Sequence, residues 1–542
     1  MAAAVNIALL RKKNSQCLAV SFPYNQIFVK KIKRISGRSW DNTNRRWEVP
    51  LVALKELRTL FPDAVLSTGI AEYLESQKAV LEKRKEKYLE VLENIDLEKP
   101  LTNGLTLFAH QRESVIRMIK NHRQILALDM GLGKTLTALI TAKLFQQKYN
   151  WSVIVVCPVS LGGNWKRDAL GLGVKIEIHS WAKVPVPPMG NYILICDEAH
   201  YAQSGSKSQR GQRFLTLAKS SFCRIAYLLT GTPIKNGRPI NLLPLLEAVK
   251  HPLAQDKTYF HLRYCDAKKT PWSRWDTSGV SNLPELYERT KDAMIRKTKA
   301  ECLDLPDKLR ILREVELSAK AKAIYDETLS DLRQQYLERV ADGTINGGSE
   351  SFVLFGQLRQ AGSIAKVETA LEIAQEILEE KQQLVIFTEF RKSLQLIYEE
   401  LSKLTRCEIL HGQIDKDERP KMVDRFQSGE SKVFISTIGA GGVGLTLTKA
   451  QTVLLVDRPL TPGDAEQAED RCHRIGQKSN VTCIWLQYGE VDTKVDIILQ
   501  EKSKNIEAIL TGLEDKSNIQ FSSHKLAMQL LPKLFKTNRN LL

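Results

Sequence analysis

Gln124-Ile-Leu-Ala-Leu128 followed by Asp129-Met-Gly-Leu-Gly-Lys-Thr135 decides the fold, because an apolar strand runs into a glycine turn and then into an apolar helical stretch, Leu136 to Phe145. Strand, glycine loop and helix together are the setting that a phosphate-binding loop requires. Gly131 and Gly133 let backbone N–H groups approach a triphosphate, and the helix N-terminus adds the positive end of its dipole. Lys134 would reach the β- and γ-phosphates and the Thr135 hydroxyl would ligate Mg²⁺. Met130, Gly131, Leu132, Gly133, Lys134 and Thr135 are therefore the expected nucleotide-binding run. The glycine usual six residues before the lysine is Leu128 here.

Strands alternating with helices extend outward from this point, the mark of a parallel α/β sheet. Val153-Ile-Val-Val-Cys157 reads as a buried strand, and Tyr192-Ile-Leu-Ile-Cys196 as another that delivers Asp197-Glu198-Ala-His200 at its C-terminal end. A carboxylate placed there stands beside the phosphate loop. Asp197 suits Mg²⁺, and Glu198 suits orienting or deprotonating an attacking water. Tyr227-Leu-Leu-Thr230-Gly-Thr-Pro233 is a further strand with its turn. A second α/β series begins near Gln383, with strands at 384–387, 432–436 and 452–456 and a glycine-dense stretch from Ser436 to Leu445. In Gln467-Ala-Glu-Asp-Arg471-Cys-His-Arg474, read as helix, Gln467, Arg471 and Arg474 share one face. Two arginines there fit guanidinium fingers for the charge that develops during phosphoryl transfer.

The chain has 542 residues, enough for three or four domains at roughly 150 residues each. An apolar fraction of 43% excludes wholesale disorder. No run of uninterrupted apolar residues reaches a membrane-spanning length, and the nine cysteines show no Cys-x-x-Cys pair, which argues for a reducing compartment and against a zinc or disulfide framework. Lys plus Arg exceed Asp plus Glu by 79 − 62 = 17, which points to an anionic partner. About half of that excess lies in residues 1–50, with ten basic side chains against Asp41 and Glu48. Lys30, Lys31, Lys33, Arg34, Arg45 and Arg46 interleave there with Tyr24, Trp40 and Trp47. The segment reads either as a small folded domain with core tryptophans and solvated lysines, or as a nucleic-acid surface. Residues 76–98 read as a charged helical connector.

The ordered motifs resemble those of a superfamily-two helicase-type ATPase of the Swi/Snf class over roughly residues 100–500, carried by DMGLGKT, DEAH, LLTGTPIKN, IRKTKAECLDLPDK and QAEDRCHRIGQ. The stretch from Arg263-Tyr-Cys-Asp to Asn282-Leu-Pro-Glu285 resembles the annealing-helicase branch, and the basic N-terminus is similar to its HARP domain, with Trp40-Asp41 where Tyr-Asp is usual. The resemblance implies an α/β architecture of two RecA-like lobes with parallel sheets flanked by helices, plus a small α+β N-terminal domain. The corresponding division is 1–62 basic domain, 63–99 connector, 100–317 lobe one, 318–363 linker, 364–505 lobe two and 506–542 tail. It further implies that Gln111 reads adenine, that His200, Thr230 and Thr232 couple hydrolysis to DNA contact, and that Gly442, Val443 and Gly444 touch nucleotide and DNA. Gln467 would line the cleft and Arg471 and Arg474 would be the fingers. Thr446 stands where many relatives have Asn.

The expected activity is an ATP- and Mg²⁺-dependent motor that reanneals or remodels branched or forked DNA. Displacement of a protein such as RNA polymerase from DNA, and a non-catalytic DNA-binding scaffold, are the alternatives. A monomer is expected, without a membrane partner, meeting single-strand-binding or replication proteins, in a bacterial or phage-infected cytoplasm near the nucleoid, or in the nucleus of a eukaryote.

Overall fold

The computed structural model describes residues 5–513 apart from 13–14, 94, 102–103, 271–274, 343–347, 416 and 442–443, together with 527, 530–532 and 534–535. Two six-stranded sheets organise it. The first runs in the order Met294–Lys297, Arg123–Leu128, Cys223–Leu229, Tyr192–Asp197, Ser152–Cys157, Glu177–Ser180, all parallel. Arg123–Leu128 and Tyr192–Asp197 are buried along their whole length, as strands covered by helices on both faces must be. The second sheet runs Lys308–Glu314, Val481–Gln487, Thr452–Leu455, Leu384–Thr388, Val433–Thr437, Cys407–Leu410, again all parallel. These are the two RecA-like lobes. Among the described residues no helix is long and apolar enough to cross a membrane.

The strand Lys308–Glu314 corrects the reading that ends lobe one at residue 317. It pairs along its whole length with Val481–Gln487, so the chain has already crossed to the second sheet by Lys308. Sequence pattern could not assign it, since all seven of its residues are exposed. The helix Gly489–Thr511 crosses in the other direction. Val491, Val495 and Ile498 pack into lobe two, whereas Ala508, Ile509 and Leu510 join the apolar core of lobe one.

Residues 6–66 form a third, mixed sheet in the order Ser39–Asp41, Arg46–Pro50, Ser15–Ser21, Asn6–Lys12, Val65–Leu66. Gln26–Ile32 is a helix whose cap Asn25 accepts hydrogen bonds from the Ile27 and Phe28 N–H groups. The core lies under Phe22, Phe28 and Phe61, which meet edge-on and stacked. The two tryptophans divide: Trp47 is half-buried and packs against that core, whereas Trp40 is 47% exposed and lies on Trp47 with ring centroids 5.1 Å apart. Lys30, Lys33, Arg34 and Arg45 are exposed. Lys31 and Arg46 are tied down, Lys31 to the Leu60 carbonyl and Arg46 to Asp41.

This sheet is not a separate bead. Its apolar residues and those of lobe one form one contiguous core. A polar cluster sits at the seam: Arg263 reaches Glu56 and Glu285, the Tyr259 hydroxyl donates to Glu56, and Arg289 donates to the Val52 carbonyl. The connector also departs from expectation. Its helix spans Thr68–Glu86, and Tyr88 then inserts among His122, Phe145, Tyr149 and Trp151, inside the core of lobe one.

Candidate active site between the lobes

The strand Arg123–Leu128 leads into Asp129, and the helix Lys134–Tyr149 starts five residues beyond that aspartate. Gly131 and Gly133 join the two elements with φ of +86° and +76°, a conformation that costs an L side chain steric strain. Gly133 has a second reason to be glycine: a Cβ there would lie 2.1 Å from Gln111 Nε2. Lys134 Nζ donates to the carbonyls of Leu128 (2.8 Å) and Asp129 (3.2 Å).

The strand Tyr192–Asp197 brings the acid pair beside this loop. Asp197 accepts from Trp165 Nε1 through Oδ2 (2.8 Å) and from the Glu198 N–H through Oδ1 (3.0 Å). Trp181 Nε1 holds the Asp197 carbonyl (2.7 Å). Glu198 sits at φ +49°, a left-handed position held by the packed strand end behind it. Its Oε2 lies 3.2 Å from His200 Nδ1, yet it is buried and has no hydrogen-bond partner among the described residues. His200 also approaches the Thr230 hydroxyl (3.4 Å), which in turn accepts from the Thr232 N–H (3.1 Å).

Lobe two supplies the opposite wall. The helix Pro462–Glu469 ends before either arginine, so Arg471 and Arg474 stand on a series of turns rather than on the expected helix face. Long-range bonds draw the chain away from the helix there. Glu469 is wholly buried against Arg310 and Trp485 Nε1, while Asp470 turns toward Lys299 and Lys308. The arginines still converge on the cleft. Arg471 Nε donates to the Gln467 carbonyl (3.0 Å), and Arg471 Nη2 lies 3.7 Å from Met130 Sδ in lobe one. Arg474 Nη1 donates to the Leu445 carbonyl (2.7 Å) and the Thr446 hydroxyl (2.9 Å).

A cleft of about 350 Å³ is thus lined by Met130, Gly131, Gly133, Lys134, Thr135, Asp197 and Glu198 from one lobe and by Gly444, Thr446, Arg471 and Arg474 from the other. Its electrostatics are those of desolvated charge. Burial, reinforced by Glu198, pushes the Asp197 carboxyl up to about 6. Burial alone would also raise Glu198, but His200, Lys134 and Arg471 together hold it below its ordinary value. Burial lowers Lys134, and burial with Arg474 alongside lowers Arg471. Lys134, Arg471 and Arg474 thus donate to backbone carbonyls, with the Met130 thioether and the Thr446 hydroxyl beside them, around two partly compensated carboxylates. A magnesium triphosphate fits this set: anionic oxygens would replace the carbonyls, and a divalent cation between Thr135 and Asp197 would offset the acid pair.

Other expected residues lie elsewhere. Leu132 is buried, and its carbonyl accepts from His110 Nε2 (3.1 Å) and Gln111 Nε2 (3.2 Å). Gln111 Oε1 accepts from the Phe108 N–H (3.0 Å), so this glutamine props the phosphate loop from beneath rather than lining the cleft. Gln467 lines an adjoining cavity. Gly442 and Val443 lie outside the described residues. Sequence reading missed Trp165 and Trp181, whose indoles fix Asp197; a tryptophan on an apolar face reads as core, and nothing local marks one as a donor to a carboxylate 32 positions away or the other as a donor to a backbone carbonyl 16 positions away.

Residues 110–171 and 175–367 match the SNF2-related domain, and 366–476 match the helicase conserved C-terminal domain. The SWI/SNF-related matrix-associated actin-dependent regulator of chromatin subfamily A-like protein 1 of Xenopus laevis is 29% identical over 525 residues, covering 89% of this chain and 52% of that protein. The DNA annealing helicase and endonuclease ZRANB3 of Homo sapiens is 28% identical over 456 residues, covering 76% and 41%. The chain spans about half the length of the curated relatives it matches. Among solved structures, the Sulfolobus solfataricus SWI2/SNF2 ATPase core in complex with dsDNA is 22% identical, covering 82% of this chain and 99% of that one at a TM-score of 0.36. With the two domains matched in order on either side of one cleft, residues 110–476 carry an SNF2-related domain followed by a helicase conserved C-terminal domain.

Proposed function

We propose that the chain hydrolyses MgATP between its lobes and uses the resulting lobe movement to track on duplex DNA, reannealing or remodelling branched DNA such as forks. The observation that carries the reading is the shared cleft, with phosphate loop and acid pair on one lobe and two arginines on the other. Such a site is complete only when the lobes are docked, which is what couples hydrolysis to movement.

Lys134 and the N–H groups of the loop would hold the β- and γ-phosphates. Thr135 and Asp197 would hold Mg²⁺, which neutralises phosphate charge. Glu198, with a buried oxygen free of hydrogen bonds among the described residues, would orient the attacking water and take its proton as the water oxygen bonds the γ-phosphorus and the bond to the β-phosphate oxygen breaks. Arg471 and Arg474 would meet the charge spread over the transferring group.

The names of the relatives, one an annealing helicase and one a chromatin regulator, support DNA as the substrate. The exposed Lys30, Lys33, Arg34 and Arg45 beside the half-exposed Trp40 would give the N-terminal sheet phosphate contacts and a surface for unpaired bases. We place the protein on DNA, in the nucleus of a eukaryote or at the nucleoid of a bacterium. The test is ATP turnover on fork, bubble, duplex and single strand, with Lys134→Ala and Glu198→Gln beside the native chain. Branched DNA is expected to stimulate most, and both variants to lose at least about 100-fold. Variants that match the native rate would remove the site assignment.

A further inference from the structure

Lys299 follows the edge strand Met294–Lys297 of lobe one and begins the short helix Lys299–Cys302. Its backbone N–H donates to Asp129 Oδ2 (3.0 Å), on the residue that opens the phosphate loop, and Asp129 Oδ1 is taken by Arg296 Nη1 (2.5 Å). The base of Lys299 is thus fixed to the loop. Its side chain reaches across the cleft, where Nζ donates to Asp470 Oδ2 (2.8 Å) and to the His473 carbonyl (2.6 Å). Those acceptors directly precede Arg471 and Arg474. The ion pair is only 11% exposed on each side, so solvent screens it little.

This pair does not hold lobe two together. Asp470 keeps Lys308, a residue of lobe two's own sheet, at 3.3 Å. Removing the lysine therefore leaves no orphaned buried carboxylate, and its contacts exist only while the lobes are docked. Resting on the ATPase reading above, we propose that Lys299 is a positioning residue for hydrolysis. It latches the arginine turn of lobe two to the phosphate loop of lobe one, so that Arg471 and Arg474 face the γ-phosphate only in the docked state.

The full chain carrying Lys299→Gln or Lys299→Arg tests this, by DNA-stimulated turnover and by binding of MgADP with and without aluminium fluoride, which mimics the transferring phosphoryl group. Two charge-assisted hydrogen bonds are lost in Lys299→Gln, so kcat is expected to fall about 10- to 100-fold, with KM and MgADP affinity within about threefold of native. Affinity for the aluminium fluoride complex should fall by the same factor as kcat, and Lys299→Arg should recover most of both. An unchanged kcat, or MgADP affinity falling in step with kcat, overturns the latch, the latter because it would mean a collapsed loop. A native chain that binds DNA but turns over no ATP overturns the ATPase reading itself and the latch with it.

Discussion

Gln111 and Gly133 form a two-residue test of how the phosphate loop is held. An alanine at 133 would carry the strain of φ +76°, about 1–2 kcal/mol. It would also put a Cβ 2.1 Å from Gln111 Nε2, well inside contact distance. Gln111 is 2% exposed and uses both ends of its amide, toward Leu132 and Phe108, so moving aside breaks two hydrogen bonds in a buried setting, about 2–3 kcal/mol more. Gly133→Ala should therefore cost the binding-competent loop about 3–5 kcal/mol, a loss of more than 100-fold in nucleotide affinity. Gln111→Ala alone should cost about 1–2 kcal/mol, because His110 still serves the Leu132 carbonyl. The double variant has room for the new methyl, so its loss should fall short of the sum by about 2 kcal/mol. Calorimetric titration of the four proteins with MgADP measures this directly. Strictly additive losses, or Gly133→Ala binding within threefold of native, would refute the propping role. Running the titration with GDP as well separates two roles for the glutamine: a prop lowers both affinities alike, whereas an adenine reader lowers only the first.

Two further outcomes follow from groups outside the cleft. Arg263→Ala should loosen the N-terminal sheet from lobe one by about 2–4 kcal/mol, since it strips a cation from Glu56 and Glu285 at a seam where Arg263 is only 20% exposed. Limited proteolysis should then release a fragment near residue 66, while the uncut variant keeps duplex-stimulated ATP turnover, and an unchanged digestion pattern would contradict the seam. His251 accepts from the Leu253 N–H through Nδ1, and burial lowers its pKa from 6.5 to about 4. Between those values the unfolded chain binds the extra proton, so stability falls as pH drops through that window, by up to about 3 kcal/mol. His251→Asn keeps a capping acceptor and should flatten the loss, read as the melting temperature at pH 7 against pH 4.5; an equal drop in both proteins would show that other groups set it.

The phosphate loop, the acid pair and both parallel sheets were legible because each rests on neighbours in sequence: a glycine turn between a buried strand and a helix, or Asp-Glu at a strand end. What stayed hidden depends on distant partners. Arg471 and Arg474 face one cleft, but Gln467 lines the adjoining cavity and the three do not share one helix, since Glu469 and Asp470 answer to Arg310, Lys308 and Lys299 some 160 to 170 residues earlier. The motif fixes the position of Gln111 in sequence but not the direction of its amide, which turns to the Leu132 carbonyl and the Phe108 N–H. Lys308–Glu314 carried no burial pattern by which to choose a sheet. The seam at Glu56, Arg263, Glu285 and Arg289 joins residues more than 200 positions apart, beyond the reach of any local rule.

That seam and the insertion of Tyr88 bear on how this protein can be taken apart. A cut placed by composition, after the basic segment or after the charged connector, would bare the apolar residues of lobe one that now face the N-terminal sheet. A cut beyond residue 95 would also pull Tyr88 and Val91 out of the lobe's aromatic core. A motor fragment prepared in that way would carry a wound, and its aggregation or lost activity would be mistaken for the missing contribution of a DNA-binding module. Single charge neutralisations at Lys30, Lys33 and Arg34, which leave both cores intact, separate the two effects where truncation cannot.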